Sequence, residues 1–181
     1  MIELVNETLH GPRSTALTTE LICELHGLAM TGLVEHAGTL RQADVRIRGS
    51  RHEPPASADV PRLVEDLCGY CNASRRDAIH NAAYALWRLA WIHPFAPDGN
   101  GRTARAVAMF VLFARLRATP ISRPDRPTFL EVLGWRKHDC IDALEAADAA
   151  LARGACDVSQ LEHLLMDVLR QSLTRGGDAA R

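Results

Sequence analysis

Ile92-His93-Pro94-Phe95-Ala96-Pro97-Asp98-Gly99-Asn100-Gly101-Arg102-Thr103-Ala104-Arg105 joins the two most apolar stretches of the chain. Upstream, Ala82, Ala83, Leu86, Leu89 and Ala90 recur at three- and four-residue steps, which predicts a buried central helix over Arg75 to Ile92. Downstream, a second apolar helix is predicted from about Arg102 to Leu116. A connection between two core helices needs only a turn. A histidine, an aspartate, an asparagine and two arginines in that turn exceed what packing requires.

Working outward, apolar spacing stays helical through most of the chain. A helix is predicted to begin at Leu17–Leu21 and to continue through Leu25, Leu28 and Leu33, with Thr18 or Thr19 as N-cap. From Gly38 to Pro61 the character changes. Gly38, Gly49, Pro54, Pro55 and Pro61 punctuate the segment, and Val45 and Ile47 alternate with Arg46 and Arg48. Alternation bounded by glycine and proline predicts a short hairpin. Val60 to Cys71 reads as another helix, and the C-terminal third holds two or three more. The expectation is one all-α domain over residues 1–175, a helical bundle around a central helix pair with one small β-hairpin. Gly176-Gly177 opens a polar tail, 176–181, expected to be frayed.

With 181 residues the chain is long enough for one real core and short for two. Hydrophobic residues are 47% and charged residues 24%, the balance of a globular protein. A net charge of −1 and a pI near 6.7 argue against a general nucleic-acid footprint. The longest strictly apolar run, Ala106 to Ala114, is far below the roughly 18 residues of a membrane span. Met1-Ile2-Glu3-Leu4 shows no signal-peptide pattern, and five cysteines lack framework spacing. A cytoplasmic setting is expected, with export by a route needing no N-terminal signal left open. Cys68-Gly-Tyr-Cys71 has no second CxxC and no surrounding βαβ pattern, so two thiols at a helix end are expected rather than half a zinc site or a redox pair.

The chemistry of the central connection is coherent. Gly99 and Gly101 permit close backbone approach, and their N–H groups, with that of Asn100, lie just before a helix start that favours an anion. Arg102 and Arg105 project from one face of the first turn, where cations oppose the helix dipole unless a polyphosphate neutralises them. Asp98 supplies a carboxylate suited to Mg²⁺ beside phosphates, and His93 a general base near neutral pH. Taken singly, each has a bland explanation: a helix-end histidine, a tight turn, a solvated basic face. Their joint occurrence in one short connection is what points to attack on a nucleoside triphosphate.

On these residues the sequence resembles the Fic (fido-fold) family, whose motif reads His-x-Phe-x-(Asp/Glu)-Gly-Asn-Gly-Arg-x-x-Arg. Similarity extends to Leu25-His26-Gly27-Leu28, Ala37-Gly38-Thr39-Leu40-Arg41, Val45-Arg46-Ile47, Pro54-Pro55 and Asp142 to Asp148, so it spans roughly residues 15 to 170. The resemblance implies a helical core with a β-hairpin flap that holds a target segment in extended form. The flap would include Val45, Arg46, Ile47, Arg48 and Gly49. It also implies AMP transfer from ATP to a Ser, Thr or Tyr hydroxyl of a target protein. His93 would be the base, Asp98 the Mg²⁺ ligand, and Gly99, Asn100 and Gly101 the anion hole. Arg102 and Arg105 would contact phosphates, and Phe95 would be a core anchor. Gly101 favours AMP transfer over the phosphorylating branch, which has Lys there.

Two departures stand out. Ala96-Pro97 places two residues between Phe95 and the acid where the family pattern has one. The chain also has no Glu-Gly or Glu-Asn dipeptide, so the family's inhibitory pattern Ser/Thr-x-x-x-Glu-Gly/Asn is absent in cis. An antitoxin or other inhibitory partner in trans, an upstream segment, or another mode of regulation would replace it. Other readings remain at this level: another donor (UMP, GMP or phosphocholine), removal of AMP, or a catalytically silent nucleotide-binding or interaction module. Toxin, effector and housekeeping settings all fit, as does a homo-oligomer.

Overall fold

Thr18 caps the helix that begins at Thr19, its hydroxyl accepting from the Leu21 N–H at 3.2 Å. The computed structural model describes residues 5–7, 9, 15–120 and 122–173; the expected tail, 176–181, lies outside them. Helix α1 (Thr19–Met30) stops short of the expected Leu33. The Thr31 N–H closes on the Gly27 carbonyl, and Gly32 turns the chain with φ +77°, so Leu33 is left 66% exposed.

A 3-10 turn (Ser57–Asp59) leads into α2 (Val60–Ala73), with Pro61 in its first turn where the missing N–H costs nothing. Helix α3 (Ala78–Ile92) begins later than the apolar pattern because Asp77 is its N-cap, accepting from the His80 N–H at 2.8 Å. Helix α4 (Asn100–Leu116) begins earlier than expected, directly after Gly99. Three further helices follow among the described residues: α5 (Phe129–Trp135), started by a Thr128/Glu131 capping box, α6 (Lys137–Ala152) and α7 (Ser159–Leu173).

Helices α3 and α4 form the most extensive helix pair, with α1 packed on α4 and with α2, α6 and α7 packed on α3. From Ala106 to Phe113 helix α4 is at most 6% exposed, the signature of a helix buried all round. The side chains of Phe110 and Leu112 there contribute roughly 1.5–3 kcal/mol each by burial. The expected all-α bundle around a central pair is therefore the observed architecture. Cys68 and Cys71 lie in the later turns of α2 as buried free thiols, pushed up to about 11 and about 12 by burial. Among the described residues no helix is long and apolar enough to cross a membrane.

The expected β-hairpin is not formed. The turn exists, with the Ser50 N–H on the Ile47 carbonyl at 3.2 Å and Gly49 at φ +77°, but its flanks carry no ladder. Among the described residues the only bridge joins Arg123 and Arg126. The outer legs of the loop are held by side chains instead. The Arg41 guanidinium takes the Ala43 and Pro55 carbonyls, the Asp44 carboxylate takes the Ser57 N–H, and Pro54 and Pro55 have no N–H to give.

Candidate active site

Pro94 disfavours a right-handed helical conformation at His93, so α3 must end there. His93 takes the left-handed conformation (φ 51°, ψ 58°), and its N–H caps the Leu89 carbonyl. A non-glycine residue in that region costs of order 1 kcal/mol or more and persists only where its surroundings hold it. Here the buried Arg41 does so: its Nε–H donates to the His93 carbonyl at 2.9 Å, and its own N–H donates to the Pro94 carbonyl at 2.8 Å.

Across the connection, Asn100 braces Phe95 in both directions. Its Oδ1 accepts from the Phe95 N–H at 2.9 Å, and its Nδ2 donates to the Phe95 carbonyl at 2.8 Å. The extra residue therefore falls inside a closed loop: Phe95 is 1% exposed and Asn100 2%, whereas Ala96, Pro97 and Asp98 bulge toward solvent. The insertion is absorbed without parting the two ends of the connection. Phe95 is the core anchor the resemblance implied, stacked on His26 with ring centroids 3.8 Å apart.

Gly99 is required by its surroundings. It has φ +99°, and a Cβ there would lie 2.6 Å from both His26 Nε2 and Met30 Cγ. His26 Nδ1 accepts from the Gly38 N–H at 2.8 Å, so Nε2 carries the proton and donates to the Asp98 carbonyl at 3.0 Å. Burial holds this imidazole below its ordinary value, in keeping with a neutral ring.

The site residues fall on two sides of the loop. His93, Asn100 and Gly101 line a cavity of about 280 Å³ whose roof is Ile47 to Ser50 with His52 and whose far wall includes Glu145 and Asp148. That is close to the lower end of the roughly 300–1,000 Å³ usual for ligand sites. The unpaired first-turn N–H groups of α4 begin here. Asp98 and Arg102 face the end of α1 instead. The Asp98 carboxylate accepts from the Gly99 N–H (2.6 Å) and from Arg102 Nη2 (3.2 Å), while Arg102 Nη1 also meets Met30 Sδ at 2.9 Å. Arg105 is half-buried under Gly101, and burial depresses its guanidinium. Of the residues expected in a flap, Ile47, Arg48 and Gly49 line the cavity; Val45 and Arg46 line a separate hollow with Glu53 and Pro54.

Burial pushes the His93 imidazole below its ordinary value; Arg41 and His52 act in the same direction, while a hydrogen bond to the Ala90 carbonyl and the nearby Asp98 oppose it. A neutral imidazole facing a cavity is what a general base needs. The sequence places His26 and Arg41 in family-like segments without assigning them a role, and it does not single out His52. His52 Nε2 donates to the Trp91 carbonyl at 2.7 Å, and its Nδ1 faces Asp148 at 3.8 Å. No local signal marks such residues, because their partners lie dozens of positions away.

Comparison with known proteins identifies the family of this chain. The sequence profile described as the Fic/DOC family matches residues 16–112. Protein adenylyltransferase Fic of Drosophila persimilis is 34% identical over 113 residues, 60% of this chain and 21% of that protein. The protein of the same name from Nematostella vectensis is 30% identical over 144 residues, 76% of this chain and 32% of that one. The chain thus spans about a fifth to a third of these relatives' length. Among solved structures, a Fic family protein from Desulfovibrio desulfuricans G20 superposes with a TM-score of 0.68 at 22% identity, over 94% of this chain and 49% of that one. Fic-1 of C. elegans gives 0.64 at 21%, over 94% and 46%.

Proposed function

Because the chain belongs to the Fic/DOC family, we propose that it is a protein adenylyltransferase, moving AMP from ATP to a Ser, Thr or Tyr hydroxyl of a target protein. The observation that carries the proposal is His93 in a cavity that also opens on the first turn of α4, its imidazole pushed below its ordinary value by burial.

In this reading His93 accepts the hydroxyl proton as the oxygen attacks the α-phosphorus; the bond to the β-phosphate oxygen breaks and pyrophosphate leaves. The N–H groups of Asn100 and Gly101 stabilise charge on the phosphates, as the positive end of a helix does. Arg102 exchanges its exposed pairing with Asp98 for phosphate oxygens. Such a surface pair is worth only ~0–1 kcal/mol, so the exchange is cheap. Arg105 holds the same phosphates from beneath Gly101.

The exposed Asp98 carboxylate, on the α1 side of the loop, would suit Mg²⁺, which is commonly held by one or two carboxylates plus substrate phosphates. Bound there, the ion would neutralise phosphate charge. Among the described residues no cluster of three or more His, Cys, Asp or Glu forms a self-sufficient metal site, and this role needs none. Ile47 to Gly49, with Val45 and Arg46 before them, would hold the target segment in extended form by strand-like pairing. An inhibitory partner in trans fits the missing Glu-Gly or Glu-Asn dipeptide.

Incubation of the purified chain with Mg²⁺ and α-labelled ATP, with and without cell lysate, tests the proposal. Label should appear on protein with intact His93 and not with His93→Ala, while His93→Ala still binds ATP. General-base loss predicts a fall of about 10²–10⁴-fold. Label transferred equally well by His93→Ala would overturn the assignment. No label on any protein would overturn AMP transfer itself.

A further inference from the structure

Arg41 is 5% exposed, yet its nearest carboxylate, Asp44, stands 3.9 Å away and is itself exposed. A buried cation without a close counter-ion is normally unfavourable. Arg41 is stabilised instead by four carbonyls: His93 (2.9 Å), Ile92 (3.4 Å), Ala43 (3.0 Å) and Pro55 (2.6 Å). Ile92 and His93 belong to the C-terminal end of α3, where the helix dipole favours a cation. Ala43 and Pro55 are the two legs of the loop that roofs the cavity. One side chain therefore joins the residue bearing the imidazole to both legs of that roof.

We propose that Arg41 is a positioning residue of the transfer site: it locks the left-handed backbone of His93 to both legs of the 41–56 loop, so that base and cavity roof are held as one unit. The inference rests on the adenylyltransferase reading for its kinetic consequence only; the lock itself is a property of the chain. A planar guanidinium with five donors can serve four carbonyls at once, which the ammonium of lysine, with three donors on a flexible stem, cannot. The positive charge has a second effect. It disfavours the imidazolium of His93, as His52 does, against the Ala90 carbonyl and Asp98, which favour it; Arg48, Glu145 and Asp148 line the same cavity.

Arg41→Lys and Arg41→Met separate geometry from charge. In labelled AMP transfer, both should lower kcat by about a hundredfold, the effect of an ångström-scale misplacement, with KM for ATP changing less. Full activity in Arg41→Lys would overturn the geometric role. In NMR titration of the His93 ring, which needs no activity, Arg41→Met should move the titration upward from wild type. An unchanged midpoint in a folded Arg41→Met protein would overturn the coupling. Should the variants fail to fold, the wild type still decides: the Arg41 Nε–H must exchange with solvent far more slowly than those of exposed arginines such as Arg62 and Arg170, and equal rates would overturn the lock. If wild-type protein transfers no label from ATP, the function reading fails while both NMR measurements still judge Arg41.

Discussion

Asn100→Ala is the sharpest probe of how the connection is held. The substitution removes both hydrogen bonds to Phe95 and leaves a buried N–H and a buried carbonyl without partners. Each orphaned group costs about 1–3 kcal/mol, and water entering the bulge at Ala96–Asp98 recovers part of that. The expected destabilisation is ~2–4 kcal/mol, read as a shift of the urea midpoint at unchanged slope. Asn100→Asp should be no milder: its carboxylate can accept from the Phe95 N–H but faces the Phe95 carbonyl with no proton to donate, in a buried site. A loss below ~0.5 kcal/mol in Asn100→Ala would refute the brace. The bulge would then be held by something other than these two bonds.

Further outcomes are equally specific. Gly99→Ala adds a Cβ 2.6 Å from His26 and Met30 at a positive φ, so a loss of ~2–4 kcal/mol is expected by thermal or urea unfolding, and a neutral effect would contradict the packing. His93 and His26 both titrate below the ordinary value near ~6.5. Their effect on stability is therefore absent above about pH 6.5 and grows as pH falls from there through the lower folded values, where folding must exclude the proton. Stability measured against pH should decline over that acid window, and the transfer rate should hold its plateau below pH 6.5 before falling. Native thiol labelling at neutral pH should modify the exposed Cys156 first and spare Cys68 and Cys71, which burial pushes up to about 11 and about 12; rapid labelling of that pair would refute their packing.

Much of the local architecture is legible along the chain. The three- and four-residue recurrence through Ala82–Ala90 and the apolar run Ala106–Ala114 specify the central pair, because a helix apolar on every side has to be interior. Pro94 ends α3 and places His93 at its terminus, and two glycines open the start of α4. Alternation at Val45–Arg48 describes what side chains prefer, whereas a ladder also needs paired backbones; the outer legs of this loop are instead tied by Arg41 to the Ala43 and Pro55 carbonyls and by Asp44 to the Ser57 N–H.

The helical class, the central pair and the cluster of His93, Asp98, glycines and arginines can all be read along the chain, since each follows from periodicity or from neighbours a few positions apart. Folding adds what spacing cannot: Gly99 must be glycine because His26 and Met30 press on it, the inserted residue bulges outside the Asn100–Phe95 brace, and His93 is fixed by an arginine 52 positions earlier in the chain. Those outcomes depend on which distant groups meet in space and whether water can reach them. Spacing along the chain carries no record of either.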